Sequence, residues 1–196
     1  MLSRRGNQGF TLTELMVAMT IFGVVMAAIY STYLSQQEAY QVTEAATGAQ
    51  QNLRAAMYTL ERDIRMVGFD PTGSKNFGFV SPLAPTSITF SYDASEDGIS
   101  GTTEFIRFHR DTSVPGKQTL RRCVGSGGPP PTSYPSTSIN DIAEDIASVN
   151  FQYLGSNGLA TVTPSEVRTV VVTLSASRDN HTRQLSTRIQ CRNMGL

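Results

Sequence analysis

Glu14 is the residue in this 196-residue chain whose type and position most demand an explanation. It falls five residues into the apolar run FTLTELMVAMTIFGVVMAAIYSTYL, which begins at Phe10. An unpaired carboxylate at membrane depth costs on the order of 2–3 kcal/mol, so it marks a partner or a function. A second acidic group lies far downstream. Asp93-Ala94-Ser95-Glu96-Asp97-Gly98, with Glu104 at the twelfth place, has the oxygen-ligand spacing of a calcium loop. Serine at the third place is a weak ligand, and the flanks read as strands. An acidic, solvated hairpin tip is the plainer reading of Asp93, Asp97 and Glu104, and no metal is assigned.

The other reactive side chains form no catalytic constellation. There is no GxSxG, no Walker A loop and no HExxH, and GSGG at 125–128 reads as a turn. His109 and His181 read as surface histidines closing a strand and sitting in a turn. Asn180-His181-Thr182 fits a glycosylation tripeptide that arises often by chance. Arg107, Arg110, Arg121 and Arg122 offer a basic patch on adjacent strands. Cys123 and Cys191 are far apart, so no CxxC redox or zinc motif exists.

These residues need elements to hold them. Counting Phe10 to Leu34 as helix gives roughly 37 Å at about 1.5 Å per residue, enough for a hydrocarbon core of about 30 Å. The stretch before it, MLSRRGNQG, is short, polar and basic through Arg4 and Arg5. A basic flank stays cytoplasmic, which sends the rest of the chain across the inner membrane. No small-residue cleavage site follows the apolar run; the small-residue breakpoint is Gly9, before it. Gly23, Ala18, Ala27 and Ala28 permit close helix approach.

Helical periodicity persists past Gln36. Val42, Ala45, Ala46, Ala49, Leu53, Ala56, Met57, Leu60, Ile64 and Val67 make one apolar stripe. Glu38, Glu44, Arg54, Glu61, Arg62, Asp63 and Arg65 lie opposite as a solvated face, and Gly68 and Pro71 stop the helix. One helix of about 85 Å is implied, and the rest of the chain must cover its stripe. Strands are expected at 87–92, 104–110, 118–123, 148–154, 167–177 and 184–192, with a short helix or turn at 139–147 and an exposed loop at GSGGPPPTSYPS. The expected class is α+β: a long N-terminal helix, membrane-spanning in its first half, packed against an antiparallel β-sheet domain. Cys123 and Cys191 are both on the exported side, in strands that could be neighbours, so a disulfide between them is expected.

Gly9-Phe10-Thr11-Leu12-Thr13-Glu14-Leu15 resembles the type III signal of type IV prepilins and pseudopilins. The resemblance implies cleavage between Gly9 and Phe10 by a prepilin peptidase and N-methylation of the new terminus at Phe10. The Phe10 amine of one subunit would then pair with Glu14 of another, removing two costly lone charges and fixing the register of a filament. LERDIRMVGFDP, INDIAEDIASVNFQYL and the terminal IQCRN are similar to the PilW-type minor pilins, and the J-type pseudopilins of type II secretion share part of this layout. The implied partition is leader 1–9, transmembrane and filament-core helix 10–34, amphipathic continuation 35–67, and periplasmic or extracellular head 68–196.

Composition narrows the classes. Lys+Arg and Asp+Glu are both 16, so net charge is zero, without the basic excess of a general nucleic-acid binder. Only 16% of residues are charged, and Trp is absent. The expectation is a non-enzymatic structural subunit, a minor pilin of a type IV pilus, with no cofactor and no small-molecule substrate. Its expected partners are prepilin peptidase, other pilins or pseudopilins, the inner membrane and the assembly platform. Its expected route runs from inner membrane to pilus and cell surface. The alternatives are a type II secretion pseudopilin and a DNA-binding or adhesive pilin.

Overall fold

A computed structural model describes residues 9–99, 104–115, 117–125, 134, 138–178 and 181–195. The leader residues 1–8, the Gly/Pro-rich loop apart from Gly125 and Tyr134, and Asn180 of the glycosylation tripeptide lie outside the described residues. The chain divides into two compact units, Met1–Glu44 and Ala45–Leu196.

Helix α1, Leu12–Arg65, is long and apolar enough over its first part to cross a membrane. In the first unit every described residue from Gly9 to Glu44 is exposed. The Thr20, Thr32 and Thr43 hydroxyls donate to the carbonyls of Met16, Ala28 and Ala39, four residues back. Each hydroxyl thereby finds an acceptor within its own helix, as a lipid or helix-packed environment requires.

In the second unit α1 carries its buried stripe: Ala45, Ala49, Leu53, Ala56, Met57, Leu60 and Ile64. Val42, read as part of that stripe, is exposed. The cover is antiparallel sheet. Strands β1 (Ser87–Ser91), β2 (Phe105–Val114), β3 (Lys117–Gly125) and β4 (Ile139–Ala143) form one sheet in that order. Strands β5 (Ile146–Leu154), β6 (Thr169–Arg178) and β7 (His181–Gln190) form another. The Phe151 amide donates to the Pro85 carbonyl at 2.7 Å, and the Tyr153 hydroxyl donates to the carbonyls of Ala84 and Ser87. Those bonds join the sheets over a core where Phe90 stacks on Phe108 and Phe79 meets Phe90 and Tyr153 edge-on.

Two expectations are corrected here. Residues 139–143 are a strand, not a short helix or turn. Leu120 pairs with Ala143 but Arg121 with Asp141, so Ile142 is the extra residue of a bulge. The bulge puts Ile139, Ile142 and Ala143 at helix-like intervals on a strand. Second, Cys123 and Cys191 are buried free thiols, not a disulfide. Cys123 lies in β3 of the four-stranded sheet and Cys191 follows β7 of the three-stranded one, so they do not share the neighbouring strands a bridge was expected to use. The chain after β7 is secured differently. The Cys191 amide donates to the Arg168 carbonyl at 2.9 Å, and Met194 packs against Gly68 and Gly78.

Candidate functional site

The start of α1 is built by two side chains. Thr11 precedes the first helical residue, and its hydroxyl oxygen accepts from the Glu14 amide at 3.3 Å. Glu14 reaches back: its Oε2 accepts from the Thr11 amide at 2.9 Å and the Thr11 hydroxyl at 2.8 Å. This is the reciprocal capping box that T-x-x-E forms, satisfying amides that have no partner within the helix. Sequence reading assigned Glu14 a role and overlooked Thr11, although the signal Thr11-Leu12-Thr13-Glu14 was present. Gly9 and Phe10 precede the helix, exposed and without regular structure.

The far end of α1 holds a second charged arrangement. Asp63 is only 5% exposed, not part of a solvated face. Its Oδ2 accepts from Arg122 Nε at 2.6 Å and its Oδ1 from Arg62 Nε at 3.0 Å. Arg65 pairs with Glu61 one turn earlier. The Asn193 side chain donates to the Arg65 carbonyl at 3.4 Å, supporting the helix end.

The proposed basic patch is dispersed into separate partnerships. Arg121 is bound by Asp111 at 2.7 Å and Asp141 at 2.8 Å, and the hydrogen bond from Ser113 holds the Asp111 carboxyl below its usual range. Arg110 donates to the Ile146 carbonyl and to Gln118. Arg107 lies over the Tyr134 ring, 5.8 Å from its centre. Cations matched within the chain contribute little to holding a polyanion. His109 is half-buried, not a surface histidine: its Nδ1 lies 4.0 Å from Cys123 Sγ, and burial lowers its pKa. Burial also pushes the Cys123 thiol up, so it stays protonated and unreactive.

Asp93, Asp97 and Glu104 bring one oxygen each within 4.8 Å of one another, Asp93 and Glu104 buried. Asp93 accepts from the amides of Asp97 and Gly98, and Glu104 from the amides of Ala94 and Ser95 and the Ser95 hydroxyl. The two buried carboxylates thus fold the loop by accepting its amides.

A membrane-length helix capped at Thr11 and Glu14, followed by antiparallel sheet, is a pilin-like architecture. Residues 4–30 match the family model of the prokaryotic N-terminal methylation motif. The chain is 27% identical to the pilin-like protein PilA3 of Thermus thermophilus, over 81% of this chain and 72% of that one. These two likenesses support a type IV pilin-like family.

Proposed function

We propose that the chain is a structural subunit of a type IV pilus, of the minor-pilin class, and not an enzyme. In this reading prepilin peptidase cuts between Gly9 and Phe10, the new amine is methylated, and residues 10–34 hold the subunit in the inner membrane until the assembly platform passes it to the fibre. Residues 35–67 carry the helix to its end at Arg65 and into the turn beyond, and 68–196 form the exported head. The observation that carries the reading is the geometry at Thr11 and Glu14. It leaves the Gly9–Phe10 bond outside the helix and sets a carboxylate one turn beyond the terminus that cleavage creates.

The exposed apolar surface of Leu12–Leu34 supports the same conclusion, since it needs lipid first and neighbouring pilin helices afterwards. The own-chain cap gives Glu14 partial compensation while it waits, and a neighbour's Phe10 amine supplies the missing positive charge. The test is deletion of the gene in its host. Loss of fibres with protein export intact is the expected result; lost export with normal piliation would identify a secretion pseudopilin instead.

A further inference from the structure

A cleft of about 990 Å³ opens in the second unit, beyond the end of α1. Its walls come from residues 68–81, the single turn at Pro164–Glu166 and residues 193–195. Phe69, Phe77, Phe79 and Met194 give it apolar surface, and Lys75 and Arg168 give it cations. Among the described residues neither cation enters an ion pair. Asp70 also lines the cleft, but its carboxylate is committed to its own loop. It accepts from the Thr72 and Ser74 hydroxyls and from the Lys75 amide. Two cations against one carboxylate leave the cleft suited to an anion with an apolar body.

Arg168 is fixed by one end of its guanidinium. Nη1 donates to the carbonyls of Ser165 at 2.7 Å and Val167 at 3.0 Å. Among the described residues Nε and Nη2 have no acceptor. Together they form the edge that grips a carboxylate through two parallel hydrogen bonds. Gly195 stands at that edge, at φ +104°, and a Cβ built on it would lie 2.7 Å from Nε and 2.9 Å from Nη2. Glycine therefore leaves clear a space that any side chain would take. Asn76 and Asn193 complete the lining. Their amide nitrogens donate to the carbonyls of Gly98 and Arg65, at 3.4 Å in each case. What they retain for a ligand is an oxygen, an acceptor for N–H.

We propose that this cleft binds the carboxyl terminus of a polypeptide whose last residues are apolar. The terminal carboxylate takes the Nε–Nη2 edge of Arg168. The last side chains pack on Phe69, Phe79 and Met194, whose flexible thioether adapts to their shape. Peptide N–H groups supply the donors that the Asn76 and Asn193 oxygens lack. A fatty acid offers the same carboxylate and an apolar body but no N–H, and free phosphate leaves the aromatic surface bare. All these residues lie outside α1, so the site stands whether or not the chain enters a pilus.

The test uses the full-length chain in detergent micelles and a hexapeptide ending in Phe-Leu, labelled at its amino terminus and followed by fluorescence anisotropy. The free-acid peptide should bind saturably, and its C-terminal amide about tenfold more weakly or worse, because the amide lacks the charge that the guanidinium reads. Arg168→Lys keeps the cation and loses the fork. It should weaken the free acid about tenfold and leave the residual binding of the amide unchanged. Decanoate should displace the peptide only in large excess. Equal binding of acid and amide would overturn the proposal, as would the absence of saturable binding or unchanged affinity in a folded Arg168→Lys chain. Displacement by decanoate at the peptide's own concentration would also overturn it, by making the ligand a fatty acid. If melting shows Arg168→Lys to be unfolded, the comparison of acid with amide on the unaltered chain still decides the matter.

Discussion

Arg122 Nε lies 2.6 Å from Asp63 Oδ2, an ion pair that ties the middle of β3 to the last turn of α1. Asp63 is buried, and of the two guanidiniums bonded to it Arg122 is the nearer and the less exposed, Arg62 the other. Arg122→Ala should destabilise the head by about 3 kcal/mol, because it leaves a buried carboxylate with only the largely exposed Arg62 beside it. Arg122→Met combined with Asp63→Leu removes both charges and should recover much of that loss. Thermal or denaturant unfolding of the full chain in detergent compares the two; equal losses would contradict the pairing.

Glu14→Ala is expected to leave membrane insertion intact and reduce the protein in sheared filaments. Removing the acid lowers the cost of insertion but deletes the partner for a neighbour's Phe10 amine. Thr11→Val should weaken the capping box, a loss of about 1 kcal/mol at the helix start, and leave Glu14 available. Its incorporation should fall less than that of Glu14→Ala. Immunoblots of membrane and filament fractions read both variants.

Processing changes mass and charge together. The mature chain should begin at Phe10 with a methylated amine, and loss of Arg4 and Arg5 takes side-chain charge from 0 to 0 − 2 = −2. Mass spectrometry of protein from cells with an active prepilin peptidase is decisive: a retained Met1 would exclude the cut.

Both cysteines should titrate as free thiols after denaturation without reductant. In the folded chain burial pushes the Cys191 thiol up to about 12 and raises Cys123 as well. The nucleophilic thiolate is scarce at neutral pH. Alkylation of native protein should therefore be slow at both sites and rapid once unfolded.

Asp70 caps the turn after α1. Burial alone would raise its carboxyl, but hydrogen bonds from Thr72, Lys75 and Ser74 outweigh that and hold it at about 2. A folded value below the unfolded 3.8 stabilises at pH above the unfolded value and loses that contribution as pH falls from about 4 towards 2. Asp70→Asn should flatten the melting-temperature profile in that window and change little at pH 7 relative to its own acid value.

Gly68 follows α1 at φ +72°, and a Cβ there would meet Met194 Sδ at 2.8 Å. Gly68→Ala should cost about 1–2 kcal/mol from the backbone conformation alone, with more from displacing Met194. Combined with Met194→Ala, the part due to packing should shrink while the conformational part persists. Melting of the single and double variants separates the contributions.

The primary structure by itself determined what depends on local order along the chain. Twenty-five mostly apolar residues from Phe10 to Leu34 specify a helix of membrane length, and the 3.6-residue spacing of Ala45, Ala49, Leu53 and Leu60 specifies which face is covered. Alternating strands such as β6 were legible for the same reason, since one buried face imposes a period of two. The tertiary structure decided whatever depends on partners distant in sequence. Asp63 is acidic and follows Arg62, which reads as solvated; the arrival of Arg122 from β3, 59 positions later, adds a second guanidinium to Arg62 and makes burial tolerable. The bulge at Ile142 gave a strand helix-like spacing, because the extra residue exists only relative to the strand it pairs with. Cys123 and Cys191 stayed apart because strand order, not sequence separation, chooses which side chains become neighbours.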